Sequence, residues 1–271
     1  MKELSTEELK QIMLDELIVV DEFCRKNGIE YFLEGGTGIG AVRHKGYIPW
    51  DDDIDIAMTR PNYERFIHTF GGYCAHLNLY APELDENFYA AYANVCDNRT
   101  VLFENQFDYR GYDIGVKIDV FPIDGCEDDI RVCKRWHILV RMLDNILSRR
   151  HRNMRYTWRT NKWNYLTCTI VRLLTSPIKY RTFMRWLLRI VKRCDYEKAN
   201  YAYHASLPYK SVTRCPKYVW ENYVDVEFEG HKVRDLRESD IHLSTIFGDY
   251  MQLPPEEQRT PHHNFIAYWK D

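Results

Sequence analysis

Apolar residues punctuate the chain at two spacings. Leu9, Ile12, Met13, Val20 and Phe23 recur three or four apart, which predicts a helix. Ser5-Thr6-Glu7-Glu8 reads as its capping box, Leu4 and Leu9 as its staple, and Asn27-Gly28 as its stop. The run 29–33 predicts a buried strand, and 37–43 a short helix. DDDIDIAM, from 51 to 58, reads as a strand. Residues two apart share a face there, so Asp51, Asp53 and Asp55 point one way and Ile54 and Ile56 the other. Thr59-Arg60-Pro61 opens a helix whose apolar face is Tyr63, Phe66 and Ile67. Strands are predicted over 90–95, 100–103 and 115–121, the last stopped by Pro122 and turned at Asp124-Gly125. Helices follow over 127–148, 165–174 and 178–191, with a polar, aromatic and basic loop over 149–162 and a break at Pro177. Segments 224–228 and 231–233 flank Glu229-Gly230 as a hairpin, and Ser239-Asp240 caps a helix ending near Phe247-Gly248.

Composition changes this picture in one place. The 271 residues carry a net charge of −3, yet between Arg131 and Arg193 seventeen Lys and Arg face a single acid, Asp144. On the predicted helix 178–191, Arg181, Arg185, Arg189 and Lys192 flank an apolar face of Phe183, Trp186, Leu187, Ile190 and Val191. Such a helix reads as a solvated basic face on a core, as a surface for anionic lipid or a lipid-linked acceptor, or as a nucleic-acid surface, the last with no recognised motif behind it. No apolar run reaches the length of a membrane span, and MKELSTEELK lacks the apolar region of a signal peptide. The eight cysteines include no Cys-x-x-Cys pair, which predicts reduced thiols in a cytoplasmic protein and no zinc site.

The chemistry concentrates in 31–58. Glycines at Gly35 and Gly36 let backbone amides approach a ligand, and amides opening a helix point at anions. Carboxylates stacked on one strand face repel unless a cation joins them. Mg²⁺ is held by one or two carboxylates together with substrate phosphates. These residues therefore predict a phosphate-handling turn beside a cation-binding strand. On the strand 115–121, Lys117 and Asp119 share a face.

Gly36-Thr37, the Gly40-Ala41-Val42-Arg43-His44 run, Ile48-Pro49-Trp50-Asp51 and Asp53-Ile54-Asp55 together resemble the signature of the LicD family. These are phosphocholine transferases with a nucleotidyltransferase fold, and fukutin and fukutin-related protein are wider relatives. Val116 to Pro122 with Asp124-Gly125, and Phe228-Glu229-Gly230 through Tyr250, Pro254-Pro255, Arg259 and His262-His263, also match. Where family members commonly have a leucine pair after Gly-Thr, this chain has Gly38-Ile39.

The resemblance implies an α+β fold, a nucleotidyltransferase-like core with a mixed sheet flanked by helices. It implies a core over 1–126, a basic, mainly helical insertion over 127–215, and a hairpin and helix over 216–271 completing the core. It further implies Mg²⁺ or Mn²⁺ on Asp53, Asp55 and Asp119, with Asp51 supporting the site or acting as base. Gly36, Thr37, Arg43, His44, Lys45, Trp50, Arg259, His262 and His263 become substrate contacts. The implied partners are a CDP-alcohol donor and a glycan or lipid-linked glycan acceptor, with contact to anionic membrane at its inner face and no nucleic acid. Trp50, Tyr109 and Tyr112 favour a choline-type head group slightly over a polyol. Two other functions compete, a nucleotidyltransferase that leaves the nucleotide on the acceptor and a non-catalytic glycan- or lipid-binding protein.

Overall fold

The structure is a computed structural model that describes residues 1–109, 111–206, 212–260 and 265–271. His262 and His263 lie outside the described residues. Helix α1 (Thr6–Asn27) has both bonds of the Ser5/Glu8 capping box and stops at Gly28 in the left-handed region. It is followed by β1 (Phe32–Leu33), α2 (Gly35–His44), β2 (Asp55–Thr59) and α3 (Arg60–Thr69). Strands β3 (Leu77–Tyr80), β4 (Ala93–Asp97), β5 (Thr100–Glu104) and β6 (Lys117–Cys126) come next. A helical stretch contains α4 (Ile130–His151), α5 (Met154–Thr160), α6 (Lys162–Leu174) and α7 (Tyr180–Val191). The chain closes with β7 (Tyr201–Tyr203), β8 (Cys215–Pro216), β9 (Tyr223–Phe228), β10 (His231–Leu236), α8 (Ser239–Phe247) and β11 (Phe265–Trp269).

The main sheet runs β1-β2-β6-β4-β3, with β7 also on β6 and β8 on β7. Strands β2 and β6 are parallel, while β1, β4 and β7 join antiparallel. The fold is therefore α+β with a mixed sheet. Its main core lies between the sheet and the apolar stripes of α1 and α3, with Phe23 edge-on to Phe66 and Phe70. A second core, built on Cys133, Val140, Leu147, Phe183, Met184 and Leu187, gathers α4 and α7 against the end of β6.

Four expectations need correction. Strand β6 passes through Pro122 and runs on to Cys126 instead of stopping. Its N–H groups alternate sides, and that of Asp119 donates to the Ile54 carbonyl beside β2. The missing N–H of Pro122 thus falls on the opposite side, between the last β4 pair at Val120 and the first β7 pair at Asp124. No ladder bond is lost. The stretch 149–162 is helical, not a loop, because it holds no Gly or Pro and its Asn153 and Asn161 side chains cap α5 and α6. The aspartate run is not a strand before Asp55; after Pro49 the Asp51 N–H turns back to the Ile48 carbonyl. The 90–95 strand starts only at Ala93, and β3 had no clear sequence signal.

The Glu229-Gly230 hairpin is present, with φ of +49° and +75° at its two turn residues. Its turn docks on the segment after α2. The Glu229 N–H donates to the Lys45 carbonyl, and the Glu229 carboxylate accepts the Tyr47 N–H at 2.9 Å. The loop leading into the aspartate run is thereby held at both ends.

Candidate active site

The two halves of the site meet by strand register. Parallel pairing sets Asp55 of β2 directly beside Asp119 of β6. Helix α2 starts against the same strand: the Glu34 N–H donates to the Asp55 carbonyl, and Thr37 Oγ1 accepts the Asp55 N–H at 2.9 Å. Thr37 is buried, so its hydroxyl fixes the strand that carries Asp55. Gly36 leaves room for Asp51. A Cβ there would lie 2.2 Å from Asp51 Oδ2, so any side chain would displace the carboxylate.

Asp51, Asp53 and Asp55 line one cavity of ≈ 410 Å³ together with Gly36, Arg43 and Trp50. They face it together although only Asp55 belongs to a strand. Asp53 also borders a smaller hollow beside Lys117 and Asp119. Because the run is a turn, Asp52 does not point away as alternation predicts. The carboxylates of Asp51, Asp52 and Asp53 lie within 4.8 Å of one another. Crowding shows in their acidities. Burial, then Asp53 and Asp119, pushes the Asp55 carboxyl well above the usual range. Burial and Asp53 push Asp51 up to about 7. Asp119 is bonded by Lys117 Nζ and by Asn94 Nδ2.

An oxygen-only donor set with unbalanced negative charge fits Mg²⁺ or Mn²⁺. The cavity lining also includes a cation, Arg43. Arg43 donates to the Tyr250 carbonyl at 2.7 Å and to His44 at 2.9 Å, and the Arg259 guanidinium lies 5.6 Å over the Trp50 ring. Arg43, His44, Trp50 and Arg259 are therefore together, though distant in sequence. Lys45 is exposed at the end of α2 and does not line the cavity. Tyr112 packs on Phe88 and donates to Asp85, while Tyr109 donates to Glu104.

Sequence reasoning missed Asn94, the place of Asp52, and a buried cluster under α2. His204 Nε2 and His242 Nε2 each lie 2.9 Å from Glu34 Oε2, and all three residues are buried. Nothing in their spacing links them; only the fold does. Their donor atoms could also share a cation. Burial disfavours charge on Glu34, but the two imidazoles outweigh it and hold the carboxyl far below its usual range. Burial likewise opposes the His242 proton, yet Glu34 raises that group to about 9. A proton bound more tightly in the folded state stabilises it. This contribution is complete below the ordinary histidine value of 6.5 and is lost as pH rises through about 9. Its size is about 3 kcal/mol. Between pH 6.5 and 9.5 the melting temperature of the wild type should fall, while His242→Gln should start lower and follow a flatter curve. Parallel curves would show that this proton does not stabilise the fold.

The lipopolysaccharide cholinephosphotransferase LicD of Haemophilus influenzae is 29% identical over 284 residues, covering 99% of both chains. Ribitol 5-phosphate transferase FKRP of Homo sapiens is 52% identical over 31 residues, 11% of this chain and 6% of that one. An uncharacterized Rickettsia prowazekii protein is 50% identical over 50 residues, 18% of this chain and 17% of its own. Residues 28–190 match the LicD/FKTN/FKRP nucleotidyltransferase domain, and the chain belongs to that family.

Proposed function

We propose that the chain transfers a phospho-alcohol, such as phosphocholine, from a CDP-activated donor to a sugar hydroxyl of a cell-surface glycan or its lipid-linked precursor. The observation that carries this is one cavity lined by Asp51, Asp53, Asp55 and Arg43 together, a set suited to a diphosphate and its cation. Asp53, Asp55 and Asp119 would hold Mg²⁺ or Mn²⁺, which supplies charge neutralisation at the diphosphate when bound. Arg43, His44 and Arg259 bind phosphate oxygens. The Gly36-Thr37 amides add the positive end of α2. The acceptor oxygen attacks the phosphorus that bears the alcohol, the bond to the bridging oxygen breaks, and CMP leaves. Asp51 takes the hydroxyl proton. Incubation with a panel of CDP-alcohols and an acceptor glycan should release CMP. An acceptor carrying the nucleotide instead would identify nucleotidyl transfer.

The lipid-linked acceptor draws support from the surface of the helical stretch. Among the described residues no helix is long and apolar enough to cross a membrane. Part of the basic face at α7 is already paired: Arg185 binds Glu86, and just past the helix Lys192 binds Glu64 and Arg193 binds Glu127. Helix α6 instead exposes Trp163, Leu166, Ile170, Leu173 and Leu174 at helical spacing. We therefore place membrane contact on α6, with the protein working at the inner face. Sedimentation with anionic vesicles should exceed that with neutral ones, fall with added salt, and drop for Trp163→Ser/Leu174→Ser. Equally weak sedimentation with both vesicle types would remove the membrane contact.

A further inference from the structure

The buried cluster under α2 takes no part in the proposed transfer. Glu34 stands between β1 and α2, His204 directly follows β7, and His242 lies in the first turn of α8. Each is only 1% exposed, and the two Nε2 atoms converge on one oxygen, Glu34 Oε2, at 2.9 Å. Ligand atoms of all three residues lie within 4.8 Å of one another. The other oxygen, Glu34 Oε1, is buried and has no hydrogen-bond partner among the described residues. Rings close the pocket. Trp220 lies 4.8 Å from His242 and 6.1 Å from His204, and Phe32 lies 5.7 Å from His242.

Asp235 of β10, also buried, adds a second carboxylate that acts on His242. With neutral imidazoles, two carboxylates stand in a dry pocket without compensation. Protonating the rings instead moves the cost of burying charge onto them. One divalent cation balances both carboxylates and leaves the imidazoles neutral. Two imidazole nitrogens and a carboxylate are a zinc donor set, whereas Mg²⁺ takes oxygen ligands. The missing Cys-x-x-Cys pair speaks only against zinc held by cysteines.

We infer that Glu34, His204 and His242 form a structural zinc site, with both Glu34 oxygens turned to the ion. Zinc there ties the β1–α2 junction to two segments from far along the chain. The inference does not rest on the proposed transfer. Zinc and a proton compete for the same His242 nitrogen, so the pH dependence of melting given above belongs to the zinc-free protein. The test uses the full chain, purified without chelator and assayed for metal after unfolding. About one zinc ion per chain should remain bound through gel filtration. Wild type refolded without zinc should melt about 10 °C lower, and Zn²⁺ but not Mg²⁺ should restore it. Glu34→Gln and His204→Gln should lose the zinc, while Asp55→Asn should keep it. No zinc in the wild type, or a melting temperature after refolding that ignores zinc, overturns the site. Full zinc content in folded Glu34→Gln and His204→Gln also overturns it, as does its loss from Asp55→Asn. Where the variants fail to fold, the wild-type refolding decides. Zinc bound as expected with no CMP released from any CDP-alcohol would sustain this site and remove the transferase proposal.

Discussion

Asp55→Asn is expected to lower CMP release by at least about a thousandfold, while the melting temperature holds or rises. The two effects have one cause. Asp55 sits beside Asp119 in register and close to Asp53, and its carboxyl is costly to ionise there. An amide of the same shape removes the repulsion and with it the charge that would hold a cation. Asp53→Asn should behave alike. Mg²⁺ or Mn²⁺ with a CDP-alcohol should raise the melting temperature of the wild type and leave both variants nearly unmoved, since a ligand stabilises only the state that binds it. Turnover within a few-fold of wild type in both variants would sink the assignment of these carboxylates.

The second large effect is on stability. Arg60 is buried where β2 gives way to α3. Its Nε and Nη2 donate to the two oxygens of Asp124 at 2.6 and 2.9 Å, and its Nη1 donates to Glu83 at 2.8 Å. Asp124 and Glu83 have buried side chains, so Arg60→Met strands the Asp124 carboxylate away from water, while Glu83 keeps the Tyr63 hydroxyl and Lys192. The expected cost is about 3–5 kcal/mol, read as a drop of roughly 10 °C in melting temperature. Arg60→Lys should recover only part, because one ammonium cannot reproduce the paired bonds to Asp124. Arg60→Met/Asp124→Leu should be more stable than Arg60→Met alone. If Arg60→Met melts with the wild type, the clamp does not stabilise the fold.

Local features carried furthest from sequence to structure. The Ser5/Glu8 box, the Gly28 stop, the Glu229-Gly230 turn and the helical stripe of α1 depend on neighbours within a few residues, so their residue types announce them. The aspartate run was also legible, although its strand geometry was not. Alternation assumes pairing, and pairing partners begin only at Asp55. Pro122 misled for a similar reason, since whether a proline ends a strand depends on which neighbour its missing N–H would face. Glu34, His204 and His242 were silent because three separated segments meet only after folding. The same holds for Asp144, which in sequence is an isolated acid and in the fold lines a cavity with Tyr89, Tyr92 and Phe107.

The β2–β6 register also sets an order of events in time. Asp55 and Asp119 are separated in the chain by α3, β3, β4 and β5, and nothing local brings them together. Until that long-range pairing closes, the nascent chain carries the two acidic segments but not their paired carboxylates. The closing step must draw like charges into contact as it pays the entropy of a long loop. Pairing of β2 with β6 thus closes a long loop against the repulsion of its own carboxylates.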